Sequence, residues 1–257
     1  MEKEKEVGGD LPYLRVHCTV DIGNTRIKVG LFDAQGQGVA FATFGAEGFL
    51  VEFALWARDF GGVSDVVVSS VAEEVDAVYW AEIFAGARLW RMEDLLMPFD
   101  SAYGPGLGAD RRAVLAAAWA LYPKRNCLVV DAGSCVTYDL LSADGRHLGG
   151  GIAPGLQMRL DAMHHGTARL PQLTFNAADS LLGLDTQSCM NTGAASGLVF
   201  EIEGWYESLS AQYGDLTLIL TGGDAEFLSG RVKKAIFAEP YFLLQGLNAL
   251  LEYQKSL

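Results

Sequence analysis

Two Asp-x-Gly turns, each placed between two apolar stretches, constrain the fold of this chain more than any other feature. The first occupies Asp21–Thr25 and the second occupies Asp131–Thr137. In both places an apolar strand leads into the turn, a second strand leaves it, and a further turn precedes a third strand. The two blocks begin about 110 residues apart, which is the size of a small domain. This spacing predicts duplication of one domain rather than a solenoid repeat.

The remaining segments add helices and buried strands to each block. Four stretches have helical composition, and the first of them stops before a proline: Arg111–Tyr122, Leu156–His165, Thr186–Gln212 and Pro240–Tyr253. Two short apolar runs, Val66–Val71 and Leu216–Leu220, are typical of buried strands. Strands and helices mixed in both halves predict an α/β protein with two similar lobes. We expect a disordered tail at residues 1–12, an N-terminal domain at 13–122 and a C-terminal domain at 123–257.

Charge and composition argue against several functional classes. A net charge of -13 and a pI near 4.7 oppose binding to nucleic acid and to anionic lipid surfaces. No apolar run approaches the roughly 18 residues that a membrane span requires, and the charged start, MEKEKEVGGD, lacks the apolar core of a signal peptide. The four cysteines form no CxxC pair, which argues against a zinc site. We therefore expect a cytoplasmic protein that binds neither nucleic acid nor membrane.

The residue types in the two turns suit phosphate. Glycine lets the backbone approach an oxyanion, and successive N–H groups in a tight turn bind anions. An Asp at a strand end suits a hydrated magnesium ion, which needs only one or two carboxylates besides phosphate. Hydroxyls of Thr25 and of Ser134 or Thr137 add donors to phosphate oxygens. Either turn alone is more typical of a β-hairpin without a ligand, whereas the two together favour nucleotide binding.

A third glycine-rich turn, Thr221–Asp224, follows the buried strand Leu216–Leu220. Open α/β sheets place ligands at the carboxyl ends of their strands, although a plain strand-to-helix turn has the same composition. No GxxxxGK[ST] motif occurs, and no GxGxxG motif follows a strand, so neither a P-loop nor a Rossmann nucleotide site is predicted. Lys28 lies one strand position beyond the first turn, where it would reach phosphate or, like most lysines, solvent.

The segment Tyr103–Arg112, with the sequence YGPGLGADRR, is the most unusual stretch in the chain. Its glycines and proline predict a shaped loop, and Asp110 with Arg111 stands at the mouth of an alanine-rich helix. Asp110 at a helix start is by default a helix cap or first-turn acid, and the alternative is a base that accepts the proton of a substrate hydroxyl during phosphoryl transfer. Arg111 opposes the helix dipole there, but its guanidinium pairs well with a substrate carboxylate.

These motifs together resemble those of the type III pantothenate kinases, in the acetate and sugar kinase/Hsp70/actin superfamily. DIGNTRIK at Asp21–Lys28 resembles the D-x-G-N-T phosphate motif of the family, and GADR at Gly108–Arg111 resembles its G-x-D-R motif. DAGS at Asp131–Ser134 stands where the family has D-x-G-[TS], and TGGD resembles its adenosine motif. The resemblance runs from about Val16 to the final helix, and the order of the motifs makes it specific.

The resemblance implies two similar actin-like (ribonuclease H-like) domains with ATP bound in the cleft between them. It implies ATP-dependent phosphorylation of pantothenate, the first step of coenzyme A biosynthesis, with Asp110 as general base. Asp21 would hold magnesium through water, Asp131 would bind an activating potassium or ammonium ion, and the protein would be a homodimer. Expected substrate contacts are Tyr103, Gly108, Ala109, Asp110, Arg111, Thr167 and Thr186. Expected ATP contacts are Asp21, Ile22, Gly23, Asn24, Thr25, Arg26, Ile27, Lys28, Ser134, Gly222 and Gly223.

Two other functions compete with this one. A nucleotide-binding regulatory protein of the same fold would need the turns but no catalytic base, so the presence of Asp110 and Arg111 favours catalysis. A kinase acting on a different small acid or sugar is the second competitor. The larger sugar kinases carry an extended second half rich in insertions, which this chain of 257 residues lacks.

Overall fold

A computed structural model describes most of the chain. The described residues are 16–23, 26–45, 47–58, 60, 62–70, 83, 84, 86–104, 106–176, 180–237 and 241–257. The predicted tail at residues 1–12, and Asn24 and Thr25 of the first turn, lie outside the described residues. The chain divides into two compact units. The first draws its residues from Met1–Pro98, Gly106–Ala120 and Tyr241–Leu257, and the second from Phe99–Pro105 and Leu121–Pro240.

Strands and helices alternate along the described part of the chain. The strands are β1 (Val16–Ile22), β2 (Arg26–Phe32), β3 (Gly38–Gly45), β4 (Val63–Ser70), β5 (Arg88–Arg91), β6 (Asp100–Ser101), β7 (Asn126–Ala132), β8 (Cys135–Leu141), β9 (Arg146–Pro154), β10 (Leu216–Thr221) and β11 (Ala235–Phe237). The helices are α1 (Phe49–Ala57), α2 (Ala109–Leu121), α3 (Leu156–His165), α4 (Thr186–Tyr213), α5 (Ala225–Ser229) and α6 (Phe242–Ser256), with a 3-10 turn at Met92–Asp94. The strands and helices predicted from the sequence all occur, with ends displaced by up to three residues.

The first unit is built on a five-stranded sheet with the spatial order β3-β2-β1-β4-β5. The pairs β1–β2 and β2–β3 are antiparallel, whereas β1–β4 and β4–β5 are parallel. The central residues of β1 and β4 are buried, which explains why both strands read as apolar runs. Helix α6 packs on β1, β2 and β4 with a row of buried side chains, including Phe242, Leu247 and Leu251.

The second unit is built on a six-stranded sheet with the order β11-β10-β7-β8-β9-β6. The pairs β7–β8 and β8–β9 are antiparallel, and β7–β10, β10–β11 and β6–β9 are parallel. Helix α4 covers the sheet with buried residues such as Leu198 and Ile202, and the ring of Trp205 stacks on Tyr138 at 4.9 Å.

The two sheets confirm the internal repeat that the sequence indicated. The order β9-β8-β7-β10-β11 in the second unit repeats the order β3-β2-β1-β4-β5 of the first, with the same pattern of parallel and antiparallel pairs. Each Asp-x-Gly turn joins the first two strands of its sheet. Strand β6 adds an edge to the second sheet that has no equivalent in the first sheet as described.

The contact units divide the chain differently from the expected domain ranges at residues 99–105, at residues 121–122 and at the last helix. The last helix, α6, belongs to the first unit because its apolar face is buried on that sheet. Residues 99–105 belong to the second unit because β6 pairs with β9. Neither assignment is visible in the local sequence, since both depend on pairing across more than 40 residues. Among the described helices, none has the length and apolar composition needed to cross a membrane.

Candidate active site

The first Asp-x-Gly turn places Asp21 near the carboxyl end of β1. Asp21 pairs in register with Lys28 on β2, and the Gly23 N–H donates to the Arg26 carbonyl oxygen at 3.0 Å. Burial raises the pKa of Asp21 to about 6, the charge of Lys28 opposes this rise, and the charge of Asp110 adds to it. Asp21 and Asp110 are therefore electrostatically coupled carboxylates in one unit, although 89 residues separate them in sequence.

Because of this raised pKa, we expect metal-free Asp21→Asn to have a larger free energy of unfolding than wild type, by a difference that grows as the pH rises. The folded state keeps the Asp21 proton up to about pH 6, whereas the unfolded chain loses it near pH 3.8, so folding becomes less favourable across this interval. At pH 8, ionisation of the buried Asp21 lowers the free energy of unfolding of wild type by at most about 3 kcal/mol, and Asn, which carries no charge, removes this loss. Urea denaturation in EDTA at pH 4 and pH 8 measures the difference.

Asp144→Asn is the control for that experiment. A hydrogen bond from the Ser142 hydroxyl lowers the pKa of the exposed Asp144 carboxyl, so its loss should bring no gain in stability as the pH rises. Equal free energies of unfolding for wild type and Asp21→Asn at both pH values would contradict the burial of a charged Asp21.

The second carboxylate, Asp110, lies in the first turn of α2. Its Oδ1 atom accepts a hydrogen bond from the backbone N–H of Arg111 at 2.8 Å, and the first helical bond runs from Arg112 N–H to the Gly108 carbonyl oxygen at 3.0 Å. Gly108 leaves room for this carboxylate, because a Cβ there would lie 2.5 Å from Asp110 Oδ1. Asp110 is exposed, so it is held in place at a positive helix end and remains accessible to a ligand.

The arginines that follow Asp110 have different surroundings. Arg111 is buried with only 4% of its surface exposed, and Arg112 donates from its guanidinium to the Leu95 carbonyl oxygen. The hydrogen bond of Arg112 attaches the start of α2 to the chain that follows the 3-10 turn. The start of α2 is thereby fixed by side-chain bonding as well as by packing.

In the second unit, the equivalent turn follows β7. The Gly133 N–H donates to the Cys135 carbonyl oxygen at 2.9 Å, and the Gly155 N–H donates to the Ser134 carbonyl oxygen at 3.1 Å. A Cβ at Gly155 would lie 2.7 Å from the Ser134 carbonyl oxygen, so only glycine allows the start of α3 to approach this turn. Asp131 lies beside Thr221 of β10, at the carboxyl ends of two parallel strands.

The Thr221–Asp224 turn closes over Asp131. The Asp224 N–H donates to the Ala132 carbonyl oxygen at 2.9 Å. Gly222 has φ of +99° and approaches so closely that a Cβ would lie 2.6 Å from the Ala132 carbonyl carbon and collide with Asp131 Oδ1. A carboxylate oxygen of Asp131 and the carbonyl oxygen of Ala132 therefore both lie close against the Gly222 backbone, and both are hard oxygen donors.

The remaining predicted substrate residues also lie in the second unit. Tyr103 is 41% exposed, and its ring faces that of His147 at 6.2 Å. The Thr167 hydroxyl donates to the Met163 carbonyl oxygen at 2.9 Å, in the turn that ends α3. Thr186 is exposed and directly follows Asp185, the N-cap of α4.

Comparison with known proteins identifies the family. The model of the family described as type III pantothenate kinase matches residues 18–208. The chain belongs to the type III pantothenate kinase family. A type III pantothenate kinase from Flavobacterium johnsoniae is 37% identical to it over 239 residues, which cover 92% of this chain and 97% of that protein.

Solved structures agree with the fold of this pantothenate kinase family member. A candidate transcriptional activator of the Baf family from Campylobacter jejuni superposes with a TM-score of 0.61 at 23% identity, covering 93% of this chain and 100% of that one. A ROK family glucokinase from Streptomyces griseus, in complex with glucose and AMPPNP, superposes with a TM-score of 0.51 at 11% identity, covering 94% and 99%. The predicted fold class, an α/β protein of two actin-like units, is confirmed.

The predicted site residues of this family member separate into two groups. The first unit contains Asp21, Ile22, Gly23, Arg26, Ile27, Lys28, Gly108, Ala109, Asp110 and Arg111. The second unit contains Tyr103, Asp131, Ser134, Thr167, Thr186, Gly222 and Gly223. Within the first unit the structure couples Asp21 to Asp110, and within the second it brings Asp131 against Gly222.

Sequence reasoning missed a buried hydrogen-bond chain in the second unit. Ser101 Oγ lies 2.8 Å from His147 Nδ1, and His147 Nε2 lies 2.9 Å from Asp139 Oδ1. Asp139 and His147 are fully buried. Their sequence signals are an aspartate inside the apolar stretch VTYDLL and a histidine at the start of a glycine-rich strand, and these do not reveal that the two meet.

Proposed function

We propose that this chain transfers the γ-phosphoryl group of ATP to pantothenate, giving 4'-phosphopantothenate in the first step of coenzyme A biosynthesis. One observation carries the proposal beyond membership of the family. The exposed carboxylate of Asp110 is fixed at the start of α2 and is electrostatically coupled to Asp21 at the phosphate turn. A base for a hydroxyl and a turn for phosphate therefore lie within the same unit.

Asp110 is the general base in this proposal. Its carboxylate accepts the proton of the 4'-hydroxyl of pantothenate while that oxygen bonds to the γ-phosphorus and the bond to the leaving ADP breaks. The Arg111 guanidinium is assigned to the carboxylate of pantothenate on the family resemblance, and in the protein without ligand this residue is only 4% exposed. The other pantothenate contacts are Tyr103, Gly108, Ala109, Thr167 and Thr186, as the family resemblance implies.

The phosphate turns bind the nucleotide. In the first unit the contacts come from Asp21–Lys28, whose glycine and backbone N–H groups suit phosphate oxygens. In the second unit they come from Ser134, Gly222 and Gly223. A divalent cation fits Asp21, because burial and the neighbouring charge of Asp110 disfavour the ionised carboxylate, and a cation beside it would offset both effects. Magnesium bound through water at Asp21 would neutralise phosphate charge.

Asp131 is the proposed site of an activating potassium or ammonium ion. The observation that supports this is that an oxygen of the Asp131 carboxylate and the Ala132 carbonyl oxygen both lie close to the Gly222 backbone, and so close to each other. These hard oxygen donors suit a weakly hydrated monovalent cation.

A coupled assay of ADP formation tests the function. Purified protein with magnesium and ATP should form ADP only when pantothenate is added, and potassium should raise the rate above that in sodium at equal ionic strength. In Asp131→Asn the rates in potassium and sodium should converge. ATP binding without pantothenate-dependent turnover would instead indicate the regulatory protein, and turnover with another acid or sugar would indicate a different kinase.

We further propose that the protein forms a homodimer through the second unit. Exposed apolar side chains support this surface: Leu184 is 96% exposed just before α4, and Met158 is 40% exposed on α3. Leu184→Asp is expected to increase the monomer fraction in sedimentation equilibrium, because a charge would replace apolar surface that the proposed dimer buries. Val51→Asp, at a 68% exposed apolar position on α1, is the matched control and should remain dimeric.

A further inference from the structure

Three polar side chains form a continuous hydrogen-bond chain that ends at Tyr103. Asp139 on β8 accepts from His147 Nε2 on β9, so His147 carries its proton on Nε2. His147 Nδ1 lies 2.8 Å from the Ser101 hydroxyl on β6, and we assign the hydroxyl as the donor, with His147 neutral. The Ser101 oxygen in turn accepts from the backbone N–H of Tyr103 at 3.2 Å. With this assignment each group donates toward Asp139, so the bonds polarise one another in the same direction.

A β-bulge creates this chain. Asp139 pairs with Gly150, and without an irregularity Leu141 would pair with Leu148 and His147 would face the opposite side of the sheet. The register instead shifts between Leu140 and Leu141, so that Leu141 pairs with His147. Asp139 and Leu141 are two residues apart on β8 and share one face of the sheet. His147, as the partner of Leu141, therefore lies on the same face as Asp139. Gly149 supports the bulge, because its φ of +117° strains any other residue.

The parallel strand β6 completes the arrangement. Ser101 is the register partner of His147, and the Ala102 N–H donates to the His147 carbonyl oxygen at 2.9 Å. Strand β6 has only two residues, so few backbone bonds hold the segment that leads to Tyr103. The ring of His147 also faces the ring of Tyr103 with an interplanar angle of 24°. His147 thus contacts Tyr103 through its ring and, by way of Ser101, through the Tyr103 backbone.

We propose that the Ser101–His147–Asp139 chain is a positioning device that fixes Tyr103 to bind the acceptor substrate. The part of this inference that concerns pantothenate rests on the proposed function, whereas the fixing of Tyr103 does not. Burying two ionisable side chains is costly unless they bond each other. The hydrogen-bonded arrangement of Asp139, His147 and Ser101 is therefore strongly favoured over arrangements that break it. Tyr103, in contrast, is partly exposed.

A nucleophilic role for Ser101 fits the geometry less well. Its oxygen already accepts the Tyr103 N–H, and the histidine beside it is fully buried. The chain is therefore assigned to position Tyr103 rather than to attack a substrate.

Ser101→Ala and Ser101→Thr test the proposal as a matched pair. Removing the hydroxyl leaves the Tyr103 N–H without its acceptor, so hydrogen exchange in a peptide covering residues 99–104 should accelerate about tenfold, as expected for the loss of about 1.4 kcal/mol. The KM for pantothenate should rise about fivefold to tenfold, with kcat and the KM for ATP nearly unchanged. Thr restores the hydroxyl and should restore both measurements. Ser64→Ala, which removes a hydroxyl bonded to Asp65 in the first unit, should change neither.

A spectroscopic measurement tests the direction of the chain without any turnover. In protein labelled with ¹⁵N-histidine, His147 should give the signals of the neutral tautomer protonated on Nε2, assigned by their absence from His147→Gln. A tautomer protonated on Nδ1, unchanged hydrogen exchange in Ser101→Ala, or a rise in the KM for ATP equal to that for pantothenate would overturn the proposal. If wild type lacks pantothenate kinase activity, the proposed function fails, and exchange and tautomer still decide whether Tyr103 is fixed.

Discussion

Asp110→Asn is expected to lower kcat for pantothenate phosphorylation by about 10²–10⁴-fold, the usual contribution of a positioned base. Asn keeps the size of the side chain and an oxygen that can accept the Arg111 N–H, but it cannot take up the proton of the 4'-hydroxyl. The KM for ATP should change little, because Asp110 is assigned to the acceptor. Steady-state kinetics with the coupled assay measure both constants.

A second effect of Asp110→Asn can be measured without substrate. The charge of Asp110 raises the pKa of Asp21, so its removal should lower that pKa below about 6 in the metal-free protein. Glu52→Gln is the matched control, since it makes the same charge change in the first turn of α1. It should leave kcat and the pKa of Asp21 as in wild type. Full activity in Asp110→Asn would falsify the assignment of the base, whatever the substrate.

Gly246→Ala is expected to destabilise the protein by about 1–3 kcal/mol or more and to lower kcat at least tenfold. Gly246 lies in α6 where that helix meets α2, and a Cβ there would lie 2.6 Å from the Ala113 carbonyl carbon and collide with its oxygen. The backbone of α2 must then move, and Asp110 lies three residues before Ala113 in this helix. Displacing a catalytic group by as little as 1 Å reduces rates strongly.

The control for Gly246→Ala is Gly204→Ala within α4. No atom lies within 4 Å of the position that a Cβ would take at Gly204, so the higher helix propensity of Ala should stabilise the protein by up to about 1 kcal/mol. The two substitutions are chemically identical and should have opposite signs in urea denaturation. If Gly246→Ala proved as stable and active as Gly204→Ala, the close approach of α6 to α2 would not position Asp110.

Much of the fold follows from local sequence. The strands on either side of each Asp-x-Gly turn, and helices such as α3, were predicted within a few residues because apolar periodicity and turn residues act over short distances. The order of the motifs also indicated the family, which the comparisons confirm. The roles of Asp110 and Asp131 remain predictions drawn from those motifs.

The sequence by itself therefore determined the repeated strand–turn–strand blocks, the actin-like fold class and the family, since each depends on residues close together in the chain. Only the tertiary structure decided which sheet α6 covers, how the charge of Asp110 acts on Asp21, and that His147 meets Asp139. The last of these depends on a single bulge at Leu140–Leu141, because shifting a strand register by one residue sends a side chain to the other face. Register and helix packing arise from contacts between distant segments, which local composition does not specify.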